Sequence, residues 1–192
     1  MSKYSDGGDF EVAPSGSHVG RIYSIVDIGN QEYTDPQGKT KNPRKIIYSF
    51  ELCNEKMEDG RSFVVSKFYT ASLHDKATLT IDLNSLRGKK MTATDKENFS
   101  DTKLLNLPCM INVQINDKGK AVVGSLSPLP KGMTAPELTL DQIHFDLDAQ
   151  NAAMLDKVPE WMQNLINWES APTPEVKTPA AANIPEDDEV PF

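Results

Sequence analysis

Little in this chain of 192 residues is suited to catalysis or to a membrane. It has two cysteines, Cys53 and Cys109, and three histidines, His18, His74 and His144, all far apart. Neither set has the short spacings of a zinc site. There is no Gly-x-Ser-x-Gly elbow and no Gly-x-x-x-x-Gly-Lys loop. Asp141, Asp146 and Asp148 read as an acidic surface rather than as ion ligands. No catalytic residue, metal or cofactor is therefore expected. No apolar run reaches the roughly 18–20 residues that span a bilayer. The opening stretch from Met1 to Asp9 has no apolar signal core, so a soluble cytoplasmic protein is expected. Both cysteines fall in apolar, strand-like segments, which predicts buried reduced thiols.

Basic residues are also in the minority, and the net charge is −8. That deficit is local. Residues 1–136 hold 18 Lys and Arg against 16 Asp and Glu, a balance of +2; residues 137–170 sum to −6 and residues 171–192 to −4. Within 39–90 there are 11 basic and six acidic side chains, or +5. The whole-chain acidity argues against a polyanion partner, but the basic central region argues for one.

The periodicity predicts a mainly β domain. His18 to Ile28 reads as a long curved strand, with Gly20 easing a bend and Gly29 ending it. Strict alternation would put Val19, Tyr23 and Ile25 on one face and Ile22, Val26 and Ile28 on the other. A basic, turn-rich loop from Asp35 to Pro43 leads to strand two, Arg44 to Cys53. There Ile46, Tyr48, Phe50 and Leu52 alternate with Lys45, Ile47, Ser49 and Glu51. A Glu58-Asp59-Gly60 turn returns the chain through strand three, Arg61 to Thr70. A helix follows, with capping-box spacing at Ser72 and Asp75 and a stripe of Leu79, Leu83 and Leu86, and Gly88 stops it. Thr94 and Glu97 suggest a second cap. Strands at 110–115 and 121–126 make a closing hairpin around Asp117-Lys118-Gly119.

Three strands, a helix and two strands is the order of the OB-fold, a five-stranded Greek-key barrel; other small barrels also fit. The expected organisation is a flexible arm over 1–15, the OB-fold domain over 16–130, a helical extension over 131–169, and a disordered linker with an acidic tail over 170–192. In the extension, helices are expected from near Asp148 and from Pro159 to about Trp168. Trp161, Leu165 and Trp168, with Met162 and Ile166 widening the face, would then pack on the barrel.

An OB barrel holds single strands on a face made mainly by strands two and three. It needs cations for phosphates and aromatic rings for bases. The candidates are Tyr33, Lys39, Lys41, Arg44 and Lys45 around the first loop, and Tyr48 on strand two. Arg61, Lys67, Phe68 and Tyr69 follow on strand three, and Arg87, Lys89 and Lys90 after the helix. Tyr48 sits in the more apolar parity set, which predicts an inward face and leaves Lys45, Ile47 and Ser49 towards the groove. Strand three has two apolar faces, so its orientation stays open. Lys67 and Tyr69 are favoured as groove residues because a lysine is costly inside a barrel.

The chain closes on Glu186-Asp187-Asp188-Glu189-Val190-Pro191-Phe192. Acid runs are commonly solvated tails, but an aromatic after Val-Pro in a polar context suits docking into an apolar pocket of a partner. The tip resembles the end of bacterial single-stranded-DNA-binding proteins, in which the tail recruits replication and repair enzymes. Asp187, Asp188, Glu189, Val190, Pro191 and Phe192 are the partner-binding residues this resemblance implies.

From about Gly16 to Ile166 the chain also resembles a family of small phage and prophage proteins described as single-stranded-DNA-binding or replication-associated. The similarity lies in Ile25-Val26-Asp27-Ile28-Gly29, Met57-Glu58-Asp59-Gly60-Arg61, the block from Val64 to Lys76, Leu86-Arg87-Gly88, Leu107-Pro108-Cys109 and Ser127 to Gly132. It implies a non-enzymatic accessory protein of phage replication or recombination in a bacterial cytoplasm, with single-stranded DNA and recruited enzymes as partners. A homo-oligomer is compatible with it. The alternative is a protein-interaction adaptor that carries the tail without binding DNA. Changing Phe192 to Ala is expected to leave DNA affinity unchanged and to abolish enzyme recruitment, measured by pull-down of the partner.

Overall fold

The computed structural model describes residues 11–149 and 152–171. The chain is mainly β. Its long strands are β1 (Gly16–Asn30), β4 (Arg44–Lys56), β5 (Ser62–Thr70), β6 (Pro108–Ile115) and β7 (Ala121–Ser127), with a short β8 (Ile143–Phe145). A small hairpin of β2 (Tyr33–Thr34) and β3 (Thr40–Lys41) stands apart. Helix α1 (Thr78–Arg87) joins β5 towards β6, followed by the short α2 (Ala93–Glu97); α3 (Ala152–Leu155) and α4 (Glu160–Gln163) are single turns. No helix among the described residues is long and apolar enough to cross a membrane.

The main sheet has six strands in the order β5-β4-β1-β6-β7, with β8 added parallel to β1. The five strands and the helix expected from the sequence are present in the expected order. The sheet does not close: among the described residues no ladder joins β5 to β7.

β1 is the organiser. Its first part pairs with β6 from Gly16 to Arg21, its later part with β8 from Ser24 to Val26, and its other edge with β4 from Gly20 to Asn30. Bulges between Ile22 and Ser24 and between Asp27 and Gly29 re-phase the strand. Ile22 and Ile25 therefore enter one core while Tyr23, Val26 and Ile28 enter the other, not the sets that strict alternation predicts. Gly20 lies where three strands meet. A Cβ there would stand 2.4 Å from the Glu51 carbonyl oxygen and 2.5 Å from Ile111 Cδ1, so no side chain fits.

Both faces of β1 and β4 are buried. On one face Tyr48, Phe50 and Leu52 pack with Phe63, Val65 and Tyr69, beneath Leu79 and Leu83 of α1 and the apolar residues of β6 and β7. On the other, Val26, Ile28 and Ile47 lie under Ile143, Phe145, Leu147, Val158, Met162 and Ile166. Ile47 and Ser49, expected to face a groove, are wholly buried there. The missed signal was the alternation Ile143, Phe145, Leu147 against His144 and Asp146, which is a strand pattern.

The 131–169 segment is thus mostly irregular, with one short strand and single helical turns rather than two full helices. Its expected apolar face is buried only in part. Met162 and Ile166 are buried with Val158 at four-residue spacing, whereas Trp161, Leu165 and Trp168 are exposed. Helix starts moved as well. Asp75 caps nothing and pairs with Lys96; α1 begins only after Ala77, and Gly88 ends it at φ 67°. The capping box of α2 is formed by Thr92 and Asp95, not Thr94 and Glu97. The last residues of the expected arm are anchored: Ala13 is buried, and His18 Nε2 donates to the Pro14 carbonyl at 2.8 Å. Cys53 and Cys109 are free and buried, and burial pushes the Cys109 thiol up to about 12.

The covering segment is pinned by Glu51, whose side chain is wholly buried. Its carboxylate accepts from Ser62 Oγ at 2.7 Å, from Thr139 Oγ1 at 2.5 Å, and from the backbone N–H groups of Thr139 at 3.0 Å and Leu140 at 3.1 Å. Burial raises its pKa, but the hydrogen bonds from Thr139, Ser62 and Leu140 outweigh it and hold the carboxyl below its ordinary value. A group so depressed stabilises the fold fully above its unfolded value of about 4.3. That contribution is lost as pH falls through the lower folded value. Glu51→Gln puts an NH₂ group among N–H donors. It is expected to cost about 1–3 kcal/mol at neutral pH, read by urea unfolding, and to flatten the acid limb of stability against pH.

Candidate nucleic-acid interface

The segment that covers the second face lies over β1 and β4 and leaves the outer face of β5, an edge strand, open. Val64 and Phe68 are exposed there, Phe68 at 51%. Thr70, on the same face, accepts a hydrogen bond from Lys45 Nζ at 2.8 Å. Lys45 Nζ also lies 5.7 Å from the centroid of the Tyr33 ring, a cation–π contact, and Tyr33 is exposed on the β2–β3 hairpin. Trp161 approaches from α4, its ring centroid 6.4 Å from that of Phe68, and stays 47% exposed. The result is a strip of three half-exposed aromatics, Tyr33, Phe68 and Trp161, with Lys45 against the first.

Beside it, a concavity of about 420 Å³ opens where β5 runs into α1, lined by Lys45, Phe68, Thr70, Ser72, His74 and Lys76. Lys39 and Lys41 sit on the hairpin next to Tyr33, both exposed. Lys41 is 2.9 Å from Asp35, whose carboxyl is held low, first by Lys41 and then by the Lys39 backbone N–H. These residues bring π-faces and ammonium groups to one surface. That can stack bases and neutralise phosphates.

Other sequence candidates lie elsewhere. Tyr48 and Tyr69 are core residues, 2% and 1% exposed, packed edge to face at 5.1 Å. The Tyr69 hydroxyl donates to Asp82 Oδ2 at 2.6 Å, and burial followed by that carboxylate pushes its pKa up. Lys67, favoured as a groove residue, turns to the same side and pairs with Asp82 at 2.7 Å. The argument that a lysine is costly inside fails because Asp82 of α1 supplies the counter-charge. It is therefore Phe68, on the opposite parity, that reaches the surface.

Arg44 is held by Asp27 and by Asp148 at 2.7 Å, both of which raise its pKa. It is a structural clamp between β1, β4 and the covering segment rather than a free cation. Arg61 pairs with Asp59 at the far end of the β4–β5 hairpin. Arg87, Lys89 and Lys90 cluster at the C-terminal end of α1, about 15 Å along the helix from the concavity at its start. Arg87 is bound to Asp95 at 2.9 Å. Trp161 was missed as a site residue because helical periodicity assigned it to the core. Residues 187–192 lie outside the described residues.

Among the described residues no group of three His, Cys, Asp or Glu side chains converges as a metal site would require. Of the three candidate acids, Asp141 faces Lys157 at 3.4 Å and Asp148 faces Arg44, while Asp146 accepts from the Asp148 backbone N–H. No protein-family model matches the chain, and no curated protein matches it either.

The different roles of neighbouring residues on β5 are separable by experiment. Asp82→Ala strands Lys67 and the Tyr69 hydroxyl and is expected to cost about 3–5 kcal/mol in urea unfolding. Phe68→Ala, at a half-exposed position, is expected to change stability by no more than about 0.5 kcal/mol.

Proposed function

We propose that the protein binds single-stranded DNA, largely without regard to sequence and without catalysing a reaction, as an accessory factor of phage replication or recombination. The observation that carries this reading is the exposed strip of Tyr33, Lys45, Phe68 and Trp161 beside a lysine-bearing concavity. Large aromatics left half exposed around a lysine cost solubility and are not needed by the fold. Stacked against bases, each contributes about 1–3 kcal/mol.

The strand order supports an OB-type reading, with a barrel left open between β5 and β7. β1 is shared between β4 and β6, and α1 lies between the third and fourth long strands. In this reading the ligand face is the outer side of β5 with the β2–β3 loop. The resemblance to phage single-stranded-DNA-binding proteins supports the biological setting. Residues 187–192 would recruit partner enzymes.

Titration of the full chain with oligo-dT and with a matched duplex, over a salt series, tests the proposal. Trp161 fluorescence is expected to be quenched by the single strand, and the duplex to bind far more weakly. The affinity should fall with log salt at a slope of about −0.7 per phosphate contact. Phe68→Ala and Tyr33→Ala are each expected to weaken oligo-dT binding by about 5- to 150-fold with stability unchanged. No binding at low salt, or full binding by both variants, would overturn the proposal and leave the adaptor reading.

A further inference from the structure

The concavity where β5 runs into α1 stands out by its charge. Two further cavities among the described residues, of about 300 and 330 Å³, each carry an aspartate, Asp95 in one and Asp101 in the other. No carboxylate lines the concavity, in a chain with 28 Asp and Glu. Asp75, the chain neighbour of His74 and Lys76, is not part of its lining and pairs with Lys96. Lys45 and Lys76 line it, and among the described residues neither pairs with a carboxylate, whereas Lys41, Arg44, Lys67 and Arg87 all do. The other polar groups are engaged on their acceptor side. Thr70 Oγ1 accepts from Lys45 Nζ at 2.8 Å, Ser72 Oγ from the His74 backbone N–H at 3.2 Å, and His74 Nδ1 from the Lys76 backbone N–H at 3.3 Å. The last contact puts the proton of the neutral imidazole on Nε2. Among the described residues no acceptor takes the Thr70 and Ser72 hydroxyl hydrogens, the His74 Nε2–H or the Lys76 ammonium protons. The recess therefore offers donors and positive charge with its own acceptors occupied, which is complementary to an anion rich in acceptor oxygens.

We propose that the concavity binds a phosphomonoester, the phosphorylated end of a single strand, with the base of that terminal nucleotide on Phe68. The assignment of the base rests on reading the aromatic strip as a stacking surface; the assignment of the phosphate does not. A phosphomonoester carries a charge of about −1.5 to −2 and three acceptor oxygens. Two ammonium groups match that charge, and the donors of Lys45, Thr70, Ser72, His74 and Lys76 match those oxygens. An internal phosphodiester, with a single charge and two free oxygens, leaves part of the set unused. The volume of about 420 Å³ exceeds what a phosphate alone fills and is that of a small-molecule site. Phe68 lines the same concavity, so a base beside the phosphate meets its ring. The Phe68 and Trp161 rings are 6.4 Å apart with planes at 51°, so they are not stacked on each other. Two stacking intervals of about 3.4 Å add to about 6.8 Å, close to the present separation. A terminal base thus fits between them once the indole turns parallel to Phe68.

The test is calorimetric titration of the full chain with short oligo-dT strands of one length that carry a phosphate at the 5′ end, at the 3′ end or at neither. One phosphorylated strand is expected to bind about 10- to 150-fold more tightly than the hydroxyl-ended strand, and which end it is gives the polarity of the strand on β5. Lys76→Ala and His74→Ala, both at exposed positions, are expected to remove most of that advantage. They should leave the affinity for the hydroxyl-ended strand and the urea midpoint unchanged. In NMR, inorganic phosphate and dTMP are expected to shift the His74 imidazole signals, and thymidine far less. Equal affinity for all three strands, or an advantage that both variants retain, would overturn the proposal and leave the concavity to internal phosphodiesters. If no strand binds while phosphate and dTMP still move the His74 signals, and do so less in Lys76→Ala, the phosphomonoester site stands and the single-strand reading falls.

Discussion

The structure depends on one constraint: β1 and β4 are apolar on both faces. Ile22 and Ile25 need cover on one side, Tyr23, Val26 and Ile28 on the other, and Ile47 opposes Tyr48 and Phe50 in the same way. A strand of this kind cannot lie at a surface, since each exposed Ile or Phe forgoes about 1.5–3 kcal/mol. The first face is covered by α1 and the curl of the sheet into β6 and β7. The second has no helix of comparable length to cover it. It is closed by a mostly irregular segment that adds β8 to β1 and then crosses the sheet with Val158, Met162 and Ile166.

Apolar cover by itself is non-directional, so buried charge sets where that segment lands. Glu51 collects Ser62, Thr139 and Leu140 within the interior. Arg44 ties Asp27 of β1 to Asp148 of the cover. A carboxylate taken out of water is costly unless all its partners are in place, so a shifted register would leave Glu51 unpaired. The same logic holds Lys67 and Tyr69 to Asp82 on the other face and docks α1 against β5.

The cover buries Ile47 of β4 but leaves Phe68 of β5 half exposed beside Trp161. The edge strand therefore keeps an open outer face, and Phe68 stays at the surface next to Trp161 and near Lys45. The functional proposal follows from that incomplete burial.

Much of this was legible in the residues. Alternation in 44–53 and 61–70, the leucine stripe of 79–86, Gly88 as a stop and the closing hairpin all depend on local periodicity and turn chemistry, which act over a few residues and survive in the structure. The distribution of charge was likewise legible, as was the presence of Tyr33, Lys45 and Phe68 in the segments that the structure brings to one surface. Other features were decided only by contacts between distant residues. Bulges in β1 re-phased its faces. Asp82, on the helix that follows, drew Lys67 and Tyr69 inward, and Asp27 and Asp148 engaged Arg44 in ion pairs. The core took the stripe of Val158, Met162 and Ile166, which left Trp161 facing outward. The sequence by itself determined the five long strands and where cations and rings are concentrated. Tertiary structure decided which of those side chains face solvent, because a strand with two apolar faces has no inside until something covers one of them.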